Sequence, residues 1–398
     1  MTSGFRGRLP TLWHGRGVAR RIMRRLTANR RTLVIADSSI RVLEPPARLV
    51  DVVEVDPSSL DVRTLVEIAA HVAIRRPEVV LAVGGGTVLD AAKLAALSLL
   101  PERILDFAVE RASREALTFL PDVPPPVDIV AVPTTIGTSS ETNGVGILTN
   151  DQGHRLVIGR ALVPRHALLD PENLSTLPAA SVREGALEAF LRLAGASTSP
   201  RRSARARADA VAIARAILEA GDQQVDSSDT RLRLARLSAA TQRTAALRGH
   251  DRYAPRHWYV ANEVAFVLGA RKMAATAAVI AVVWQRVCGG DSRWGDRVSL
   301  ERFWSDVASS SSLPGHPALG IAELIERWAI APPPTPAESD LERIAVATMR
   351  AWGAGRPMLA GLGPQDFRDV LRASAWSDRS GAADGGPRPV RGGDTHEP

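Results

Sequence analysis

The first half of the chain alternates between short apolar runs and amphipathic segments. The runs with the length and composition of buried strands are residues 31–36, 50–55, 79–83 and 128–132. The segments with helical spacing between them are residues 17–28, 87–100 and a helix capped by Ser59 or Asp61 that runs to residue 74. Repeated strand–helix–strand units of this kind predict an α/β domain built on one parallel sheet, with ligands bound at the carboxyl ends of the strands.

Helical spacing dominates from residue 179 onward. The predicted helices are residues 181–194, 204–220, 230–247 and 259–287, followed by shorter pieces to about residue 373. Before them, residues 100–127 are predicted to be irregular, and a strand at 144–149 enters a hairpin turn at 150–153. We therefore predict an α/β domain over residues 1–178, a helical domain over 179–376 and a disordered tail over 377–398.

Length and composition exclude several classes of protein. A chain of 398 residues, 45% of them hydrophobic, is long enough for two domains. No apolar run has the length of a membrane span, and the N-terminus MTSGFRGRLP lacks the apolar core of a secretory signal. The single Cys288 leaves no internal disulfide and fits a reducing compartment, so we predict a cytoplasmic location.

The formal net charge of +7 raises the question of a nucleic-acid or membrane partner. The basic residues are almost all Arg and are spread through the chain, and aromatic residues make up only 4% of it, so stacking platforms for single strands are scarce. The densest basic cluster, residues 16–31, lies on a predicted amphipathic helix and is explained as a solvated helix face. We therefore predict no nucleic-acid and no membrane partner.

A glycine-rich turn follows the apolar run at 79–83 directly. The sequence VVLAVGGGTVLDAAK places Gly84, Gly85 and Gly86 between strand and helix, and Thr87 opens the helix. Glycines allow the backbone to approach a ligand closely, and the free N–H groups at a helix start favour phosphate or pyrophosphate. A purely structural tight turn is the alternative, because the spacing G-x-G-x-x-G is absent.

A hydroxyl-rich loop follows the next strand. Its sequence PTTIGTSSE carries hydroxyls and amides that can bond phosphate and carboxamide oxygens without crowding a flat cofactor. The candidate side chains are Thr134, Thr135, Thr138 and Ser139. Because the two turns follow successive parallel strands, we predict that they bind one ligand.

These two stretches resemble motifs of a known family. GGGTVLDAAK is similar to the motif GGGSxxDxAK, and VPTTIGTSSE to the motif PTTxGTGSE, of the iron-containing (group III) alcohol dehydrogenases, relatives of glycerol dehydrogenase and dehydroquinate synthase. The resemblance covers roughly residues 10–178 and weakens beyond them. It implies a Rossmann-like parallel-sheet domain followed by an all-α domain, the dehydroquinate synthase-like fold, with NAD as the cofactor and a homodimer as the assembly.

The resemblance assigns further cofactor contacts. Asp37 matches an acidic residue that accepts hydrogen bonds from the ribose 2′-hydroxyl, which favours NAD over NADP; a turn cap formed by Asp37, Ser38 and Ser39 is the alternative. Asp90 and Lys93 match the glycine-turn motif, with an i,i+3 surface pair as the alternative. Arg155 lies about where the family has a basic residue near the cofactor.

The helical half departs from the family at its divalent-metal site. The family supplies one acidic residue and three His there, and the matching positions in this chain are Glu188, Arg192, His257 and Arg271, with Lys272 beside the last. Guanidinium and ammonium groups have no lone pair for a metal at neutral pH. We therefore expect iron or zinc to be absent or atypical, and a three-ligand site of Glu188, His250 and His257 is the alternative.

Cations at the metal positions suggest a different way to stabilise the reacting oxygen. Arg192 and Lys272, or Arg271, would supply positive charge there and hold an anionic substrate, and His257 would act as the general base. The alternatives are an ion pair between Glu188 and Arg192 and a His257 that is packed as a structural residue.

The leading functional hypothesis is an NAD-dependent alcohol dehydrogenase or ketone reductase. The resemblance allows an alcohol that bears a carboxylate or phosphate, including a natural-product or peptide C-terminal hydroxyl. One alternative is an NAD-using cyclase like dehydroquinate synthase, which is weakened because Ala261 occupies the position of a second His in that group. The other is a catalytically silent NAD-binding partner subunit.

Overall fold

Nine strands form two sheets in the structure, a computed structural model that describes residues 9–40 and 47–378. The strands are β1 Thr11–His14, β2 Thr32–Asp37, β3 Leu49–Val55, β4 Val79–Gly84, β5 Leu117–Phe119, β6 Asp128–Pro133, β7 Val145–Asn150, β8 Gly153–Ile158 and β9 His166–Leu169. The main sheet has the order β1-β9-β6-β4-β2-β3, and all its pairings are parallel. The predicted parallel α/β architecture is confirmed.

Four helices lie in this α/β half of the described chain, α1 Val18–Thr27, α2 Val62–Arg75, α3 Gly86–Ala96 and α4 Ile104–Ala112. Of these, α1, α2 and α3 cover the main sheet, and α4 packs on β5 and β8. Asp61 caps α2 as predicted, because its carboxylate accepts a 2.9 Å hydrogen bond from the Thr64 backbone N–H. The strands β2, β4 and β6 are apolar on both faces because α2 and α3 cover one face and α1 covers the other.

The described chain after β9 is mainly helical. Its helices are α5 Ala179–Ala196, α6 Ala204–Gly221, α7 Ser228–Arg243, α8 His257–Leu268, α9 Lys272–Cys288, α10 Arg297–Ala308, α11 Pro317–Arg327, α12 Glu338–Trp352 and α13 Pro364–Ala373. They share one large apolar core. The prediction of a helical second half is confirmed, and the predicted domain boundary at residue 178 falls between β9 and α5 and stays a prediction.

The single helix predicted over residues 259–287 is wrong. Gly269 adopts a left-handed conformation with φ of 59° and ends α8, and the chain turns before α9 begins at Lys272. The apolar spacing continues across the break, and only the glycine marks it. The break matters for the site, since it places Lys272 at the first position of a new helix.

The prediction that residues 100–127 are irregular is also wrong. They contain α4 and the short strand β5, which pairs with β8. The predicted hairpin is confirmed as β7 and β8, so β5, β8 and β7 form a second sheet beside the main one. Strand β1, which lies at the edge of the main sheet beside β9, was not predicted.

Two further predictions concern the ends of the chain and membranes. Residues 379–398, nearly all of the predicted disordered tail, lie outside the described residues. Within residues 9–40 and 47–378, none of the helices combines the length and the apolar character needed to cross a bilayer.

Candidate functional site

The glycine turn and the hydroxyl-rich loop lie against each other at the carboxyl edge of the main sheet. Strands β4 and β6 are neighbours, and the Thr134 N–H donates a 3.0 Å hydrogen bond to the Gly84 carbonyl. A Cβ atom on Gly86 would stand 2.7 Å from Thr138 Cγ2, so the two turns approach as closely as they do because this residue is glycine. The predicted proximity of the two turns is confirmed. We call residues 134–141 the threonine loop.

The threonine loop also packs on helix α5 without intervening side chains. Gly137 has φ of 114°, and a Cβ atom there would stand 2.7 Å from the Gly185 Cα. Backbone-to-backbone contact of this kind requires glycine on both sides. It fixes the loop between the sheet and the first long helix of the second half.

Arg192 of α5 holds the threonine loop from the helical side. Its guanidinium is buried and donates hydrogen bonds to the Gly137 carbonyl at 2.5 Å, the Thr138 carbonyl at 3.1 Å and Ser139 Oγ at 3.0 Å. A fourth bond, of 2.9 Å, goes to Thr241 Oγ1 on α7. Burial lowers the pKa of Arg192, and Glu188 and Glu141 oppose that shift. Arg192 therefore positions the loop, and the catalytic role predicted for it is not supported by its bonding.

Lys93 of α3 holds the same loop from the sheet side. Its side chain is 0% exposed, and its ammonium bonds to the Ser140 carbonyl at 3.1 Å, to the Val145 carbonyl and to Asp90 at 2.9 Å. Asp90 in turn accepts hydrogen bonds from Ser140 Oγ and from the Ile147 N–H. The surface pair considered for Asp90 and Lys93 is therefore wrong, because the pair is buried and joins α3, the loop and β7.

A cleft of about 480 Å³ separates this edge of the sheet from the helices. Among the predicted cofactor residues, those that line the cleft are Gly86, Thr87, Asp90 and Thr138. The others, which are outside its lining, are Asp37, Gly84, Gly85, Thr134, Thr135, Ser139 and Arg155. The opposite wall carries Glu188, Arg192, Gln242, Trp258 and Lys272. The cleft thus lies between the predicted cofactor turns and the positions where the family places its metal.

Asp37 ends β2, beside β4 in the main sheet. Its Oδ1 atom accepts hydrogen bonds from the Ser39 N–H at 2.9 Å and from Ser39 Oγ at 2.6 Å. The turn cap considered as an alternative is thus present in the structure. It uses one carboxylate oxygen.

Arg155 does not line the cleft, and the neighbouring His154 does. Along β8 the side chains alternate between the two faces, so adjacent residues point in opposite directions. Arg155 is buried and donates a 2.7 Å hydrogen bond to the Gln152 carbonyl. Burial lowers the pKa of the Arg155 guanidinium, and the carboxylate of Glu263 opposes that shift. The resemblance suggested that Arg155 lies near the cofactor, whereas the structure places Arg155 outside the cleft and His154 in its lining. The alternation of side chains along the strand was the signal in the sequence that could have indicated this.

Lys272 and Glu188 form the charged pair of the opposite wall. Lys272 Nζ lies 2.7 Å from Glu188 Oε1, and the Lys272 side chain is 41% exposed to the cleft whereas Glu188 is buried. Burial disfavours the ionised carboxylate, but Lys272 and Arg192 outweigh it and hold the pKa of Glu188 below its usual value. Glu188 thus forms its ion pair with Lys272 on α9, and not with Arg192 as in the alternative considered above.

His257 is buried at the start of α8 and lies outside the lining of the cleft. Its Nε2 atom has no hydrogen-bond partner in the described part of the chain. Burial, followed by the charge of Lys272, lowers the pKa of His257 to about 3. A base this weak, buried and outside the cleft lining, does not fit the predicted proton acceptor. The structurally packed His257 is the arrangement that the structure shows.

The residues at the family's metal positions do not form a donor set for a metal. Glu188 is bonded to Lys272, Arg271 pairs with Glu184 at 2.9 Å, and Arg192 is bonded to the threonine loop. Across residues 9–40 and 47–378, no three side chains of His, Cys, Asp or Glu are grouped closely enough to hold a metal ion. The alternative site of Glu188, His250 and His257 is therefore not assembled.

Sequence reasoning missed several residues of the site. Glu141 ends the hydroxyl-rich motif and is buried beside Arg192 and Lys93, and burial raises its pKa to about 7 although both cations oppose the shift. Trp258, Asn262 and Gln242 line the cleft without any motif to mark them. Their positions depend on how the helices pack, which no local pattern encodes.

Comparison with known proteins agrees with this architecture. Residues 10–171 match the family described as iron-containing alcohol dehydrogenase. Phosphonoacetaldehyde reductase of Streptomyces viridochromogenes is 36% identical over 209 residues, which are 51% of this chain and 50% of that protein. A probable mitochondrial hydroxyacid-oxoacid transhydrogenase of Dictyostelium discoideum is 37% identical over 135 residues, 31% of this chain and 25% of that protein. The matched segments thus span half or less of these relatives.

Solved structures share the fold over nearly the whole chain. NADH-dependent butanol dehydrogenase A of Thermotoga maritima superposes with a TM-score of 0.74 at 20% identity, covering 93% of this chain and 98% of that one. An iron-containing alcohol dehydrogenase of Thermococcus thioreducens gives a TM-score of 0.71 at 18% identity, covering 92% and 98%. The α/β half of this chain thus matches the iron-containing alcohol dehydrogenases in sequence, and the chain as a whole shares the fold of these solved structures.

Proposed function

We propose that this protein is an oxidoreductase that interconverts an alcohol and its carbonyl compound with a nicotinamide dinucleotide, and that Lys272 takes the place of a metal at the reacting oxygen. The observation that carries the proposal is the cleft itself, in which the two turns of the sheet face the Lys272–Glu188 pair. Relatives named for aldehyde reduction and NADH-dependent alcohol dehydrogenation support the reaction class.

The turns of the sheet fit a dinucleotide. Helix α3 begins at Gly86, and its N-cap residue Gly85 has no side chain that could occupy the first N–H groups. These N–H groups and the positive end of the helix suit a pyrophosphate. Asp37 has one carboxylate oxygen engaged by Ser39, and the other would accept a hydrogen bond from a ribose hydroxyl, which favours NAD over NADP. A bound nicotinamide would supply or accept the hydride.

The Lys272 ammonium would act on the substrate oxygen. An ammonium hydrogen bond to a carbonyl oxygen stabilises the negative charge that develops there as the new C–H bond forms. In the reducing direction the same ammonium would give its proton to that oxygen and regain one from water, since the side chain is partly exposed. Glu188 holds the ammonium at the cleft wall through their 2.7 Å contact.

Metal-assisted chemistry of the family type does not fit the donor set described above. A cation in the position of a ligand repels a metal ion, and the buried carboxylate that remains is already neutralised by Lys272. We therefore derive the reaction from Lys272 alone.

Two measurements on the same sample test the proposal. Protein purified without chelator would be analysed for metals and assayed for oxidation of NADH and NADPH by a panel of aldehydes and ketones. We expect substoichiometric iron and zinc, turnover with NADH in preference to NADPH, and no loss of rate after dialysis against EDTA. Stoichiometric metal that is needed for turnover contradicts the role of Lys272, and no turnover of any substrate with either cofactor contradicts the reaction class.

A further inference from the structure

A second cavity adjoins the cleft at Lys272. It has a volume of about 610 Å³ and lies between the sheet of β5, β8 and β7 and the helices α8, α9 and α12. Three residues of the helical half, Trp258, Asn262 and Lys272, line both cavities, as do three hairpin residues, Val145, Ile147 and Leu156. The two cavities therefore meet at the ammonium that we place at the reacting oxygen. We call the second cavity the side chamber.

The walls of the side chamber are apolar and partly aromatic. Besides the shared residues they include Leu117, Phe119, Leu120, Ile158, Tyr259 and Trp352. Phe119 is 39% exposed, although a large hydrophobic side chain of this kind is normally buried. A concave apolar surface with a few polar groups, in the size range of about 300–1,000 Å³, is typical of sites for small organic molecules.

Three cations of the described chain line the side chamber, and two of them have carboxylate partners. Lys272 pairs with Glu188, and Arg160 pairs with Asp122 at 2.8 Å. Arg252 differs, because its guanidinium stacks 3.9 Å from the centre of the Phe119 ring and forms no hydrogen bond or ion pair within residues 9–40 and 47–378. The face of an aromatic ring orients a guanidinium but leaves its N–H donors free for an anion.

We propose that the side chamber holds the organic chain of the substrate and that Arg252 binds an anionic group at the far end of that chain. This inference rests on the proposed function, since it places the reacting oxygen at Lys272. The substrate class is then an aldehyde or alcohol with an extended apolar body and a remote carboxylate or comparable anion. The Phe119 ring contributes twice, because it forms part of the apolar wall and orients Arg252.

A binding experiment tests the chamber without requiring turnover. Octanoate, butyrate and neutral 1-octanol would be titrated into the full-length protein by calorimetry, and into the variants R252Q and R160Q. We expect octanoate to bind, with affinity falling by roughly fourfold for each methylene removed towards butyrate. R252Q should weaken octanoate binding at least about tenfold and leave 1-octanol unchanged, since only the carboxylate loses a charge-assisted bond.

R160Q is the matched control, because Arg160 lines the same chamber but is already paired with Asp122. It should bind octanoate within about twofold of the unmodified protein. Both arginines lie at the surface of the chamber, and thermal melting would verify that the two variants are folded. Equal octanoate affinity in R252Q and R160Q, or octanoate that binds no better than butyrate, overturns the assignment.

Kinetics separate this inference from the proposed function. Turnover of short neutral aldehydes would be compared with turnover of an ω-oxo carboxylic acid of nine carbons and of nonanal. We expect the acid to be preferred over nonanal at least about tenfold in kcat/KM, R252Q to remove that preference, and R160Q to keep it. Turnover of short aldehydes with no preference for the acid contradicts the role of Arg252 alone. Absence of all turnover contradicts the proposed function, and the calorimetry then still decides the chamber.

Discussion

The two walls of the cleft differ in how closely they follow the iron-containing alcohol dehydrogenases. On the sheet side the glycine turn and the threonine loop keep the family's motifs, and buried cations on both sides hold the loop in place. On the helical side cations occupy the positions that match the family's metal ligands, and Lys272 lines the cleft in contact with the buried carboxylate of Glu188. A binding site for a cofactor constrains many backbone positions at once, whereas the charge at a reacting oxygen can be supplied by one side chain. If the proposed function holds, the cofactor side and the chemical side of one cleft can therefore diverge separately.

The substitution K272Q should have the largest effect. Loss of the ammonium at the developing negative charge is expected to lower kcat by about 10²–10³-fold, while the affinity for NADH stays within a fewfold because Lys272 lies on the opposite wall. Steady-state kinetics and NADH fluorescence titration measure the two quantities.

H257N provides the control for that substitution. His257 is buried outside the cleft lining, so its variant should change kcat by less than about tenfold if the protein folds. A larger loss of kcat in H257N than in K272Q would contradict the role of Lys272 and indicate that His257 transfers the proton.

G137A tests the sheet side of the comparison. The new Cβ would meet the Gly185 backbone at 2.7 Å from a positive φ, and we expect a loss of about 2–4 kcal/mol in the free energy of unfolding. Urea denaturation measures it. In the matched variant G290A the φ is also positive, at 91°, but no atom lies within 4 Å, so only about 1 kcal/mol should be lost. Equal losses would mean that contact with α5 contributes nothing.

Glu141 gives a pH dependence that belongs to the threonine loop. Its pKa is about 7 in the folded protein and 4.5 in a free side chain, so the folded protein holds the proton more tightly between those values. Stability therefore falls as the pH rises from about 4.5 to 7, by about 1–3 kcal/mol from this group, and stays lowered above that range.

The variant E141Q removes this proton-linked contribution. The difference in unfolding free energy between E141Q and the unmodified protein should shift in favour of E141Q as the pH is raised from 5 to 8. Denaturation curves at a series of pH values would reveal it. A difference that is independent of pH contradicts the raised pKa.

D37S should have the smallest effect. If Asp37 repels a 2′-phosphate, the ratio of kcat/KM for NADPH to that for NADH should rise by about tenfold, or about 1.4 kcal/mol. If the carboxylate serves only as the turn cap to Ser39, both cofactors should lose equally and the ratio should stay the same. Kinetics with both cofactors distinguish these outcomes.

The local sequence pattern was sufficient to predict those elements whose structure depends mainly on their own residues. The strand–glycine–helix unit of β4 and α3 and the hairpin of β7 and β8 were predicted closely, because apolar runs and glycines specify them directly. The break between α8 and α9 was missed because apolar spacing continues through it and only Gly269 marks it. Strand β5 was missed because three residues give too short a pattern, and its pairing with β8 is a long-range contact.

The site was predictable only as far as its motifs extend. The two turns were found because their glycines and hydroxyls have fixed spacing. His154, and not the predicted Arg155, lines the cleft because of which face of β8 turns inward. The burial of His257 likewise depends on how α8 packs. Both placements are determined by contacts with elements distant in sequence. His257 was therefore proposed as the general base from the chemistry of its side chain alone, because the sequence does not show what surrounds it.

The guanidinium of Arg192 has a consequence for how the molecule comes apart. It belongs to a helix of the second half, yet it satisfies two carbonyls and a hydroxyl of the loop that follows β6. If the sheet were to separate from the helices, those acceptors would lose their donor and a charge would lose its neighbours, at a cost of several kcal/mol. The two halves should consequently melt in a single calorimetric transition, and release of a product should proceed by small movements at the rim of the cleft rather than by wide parting of the halves.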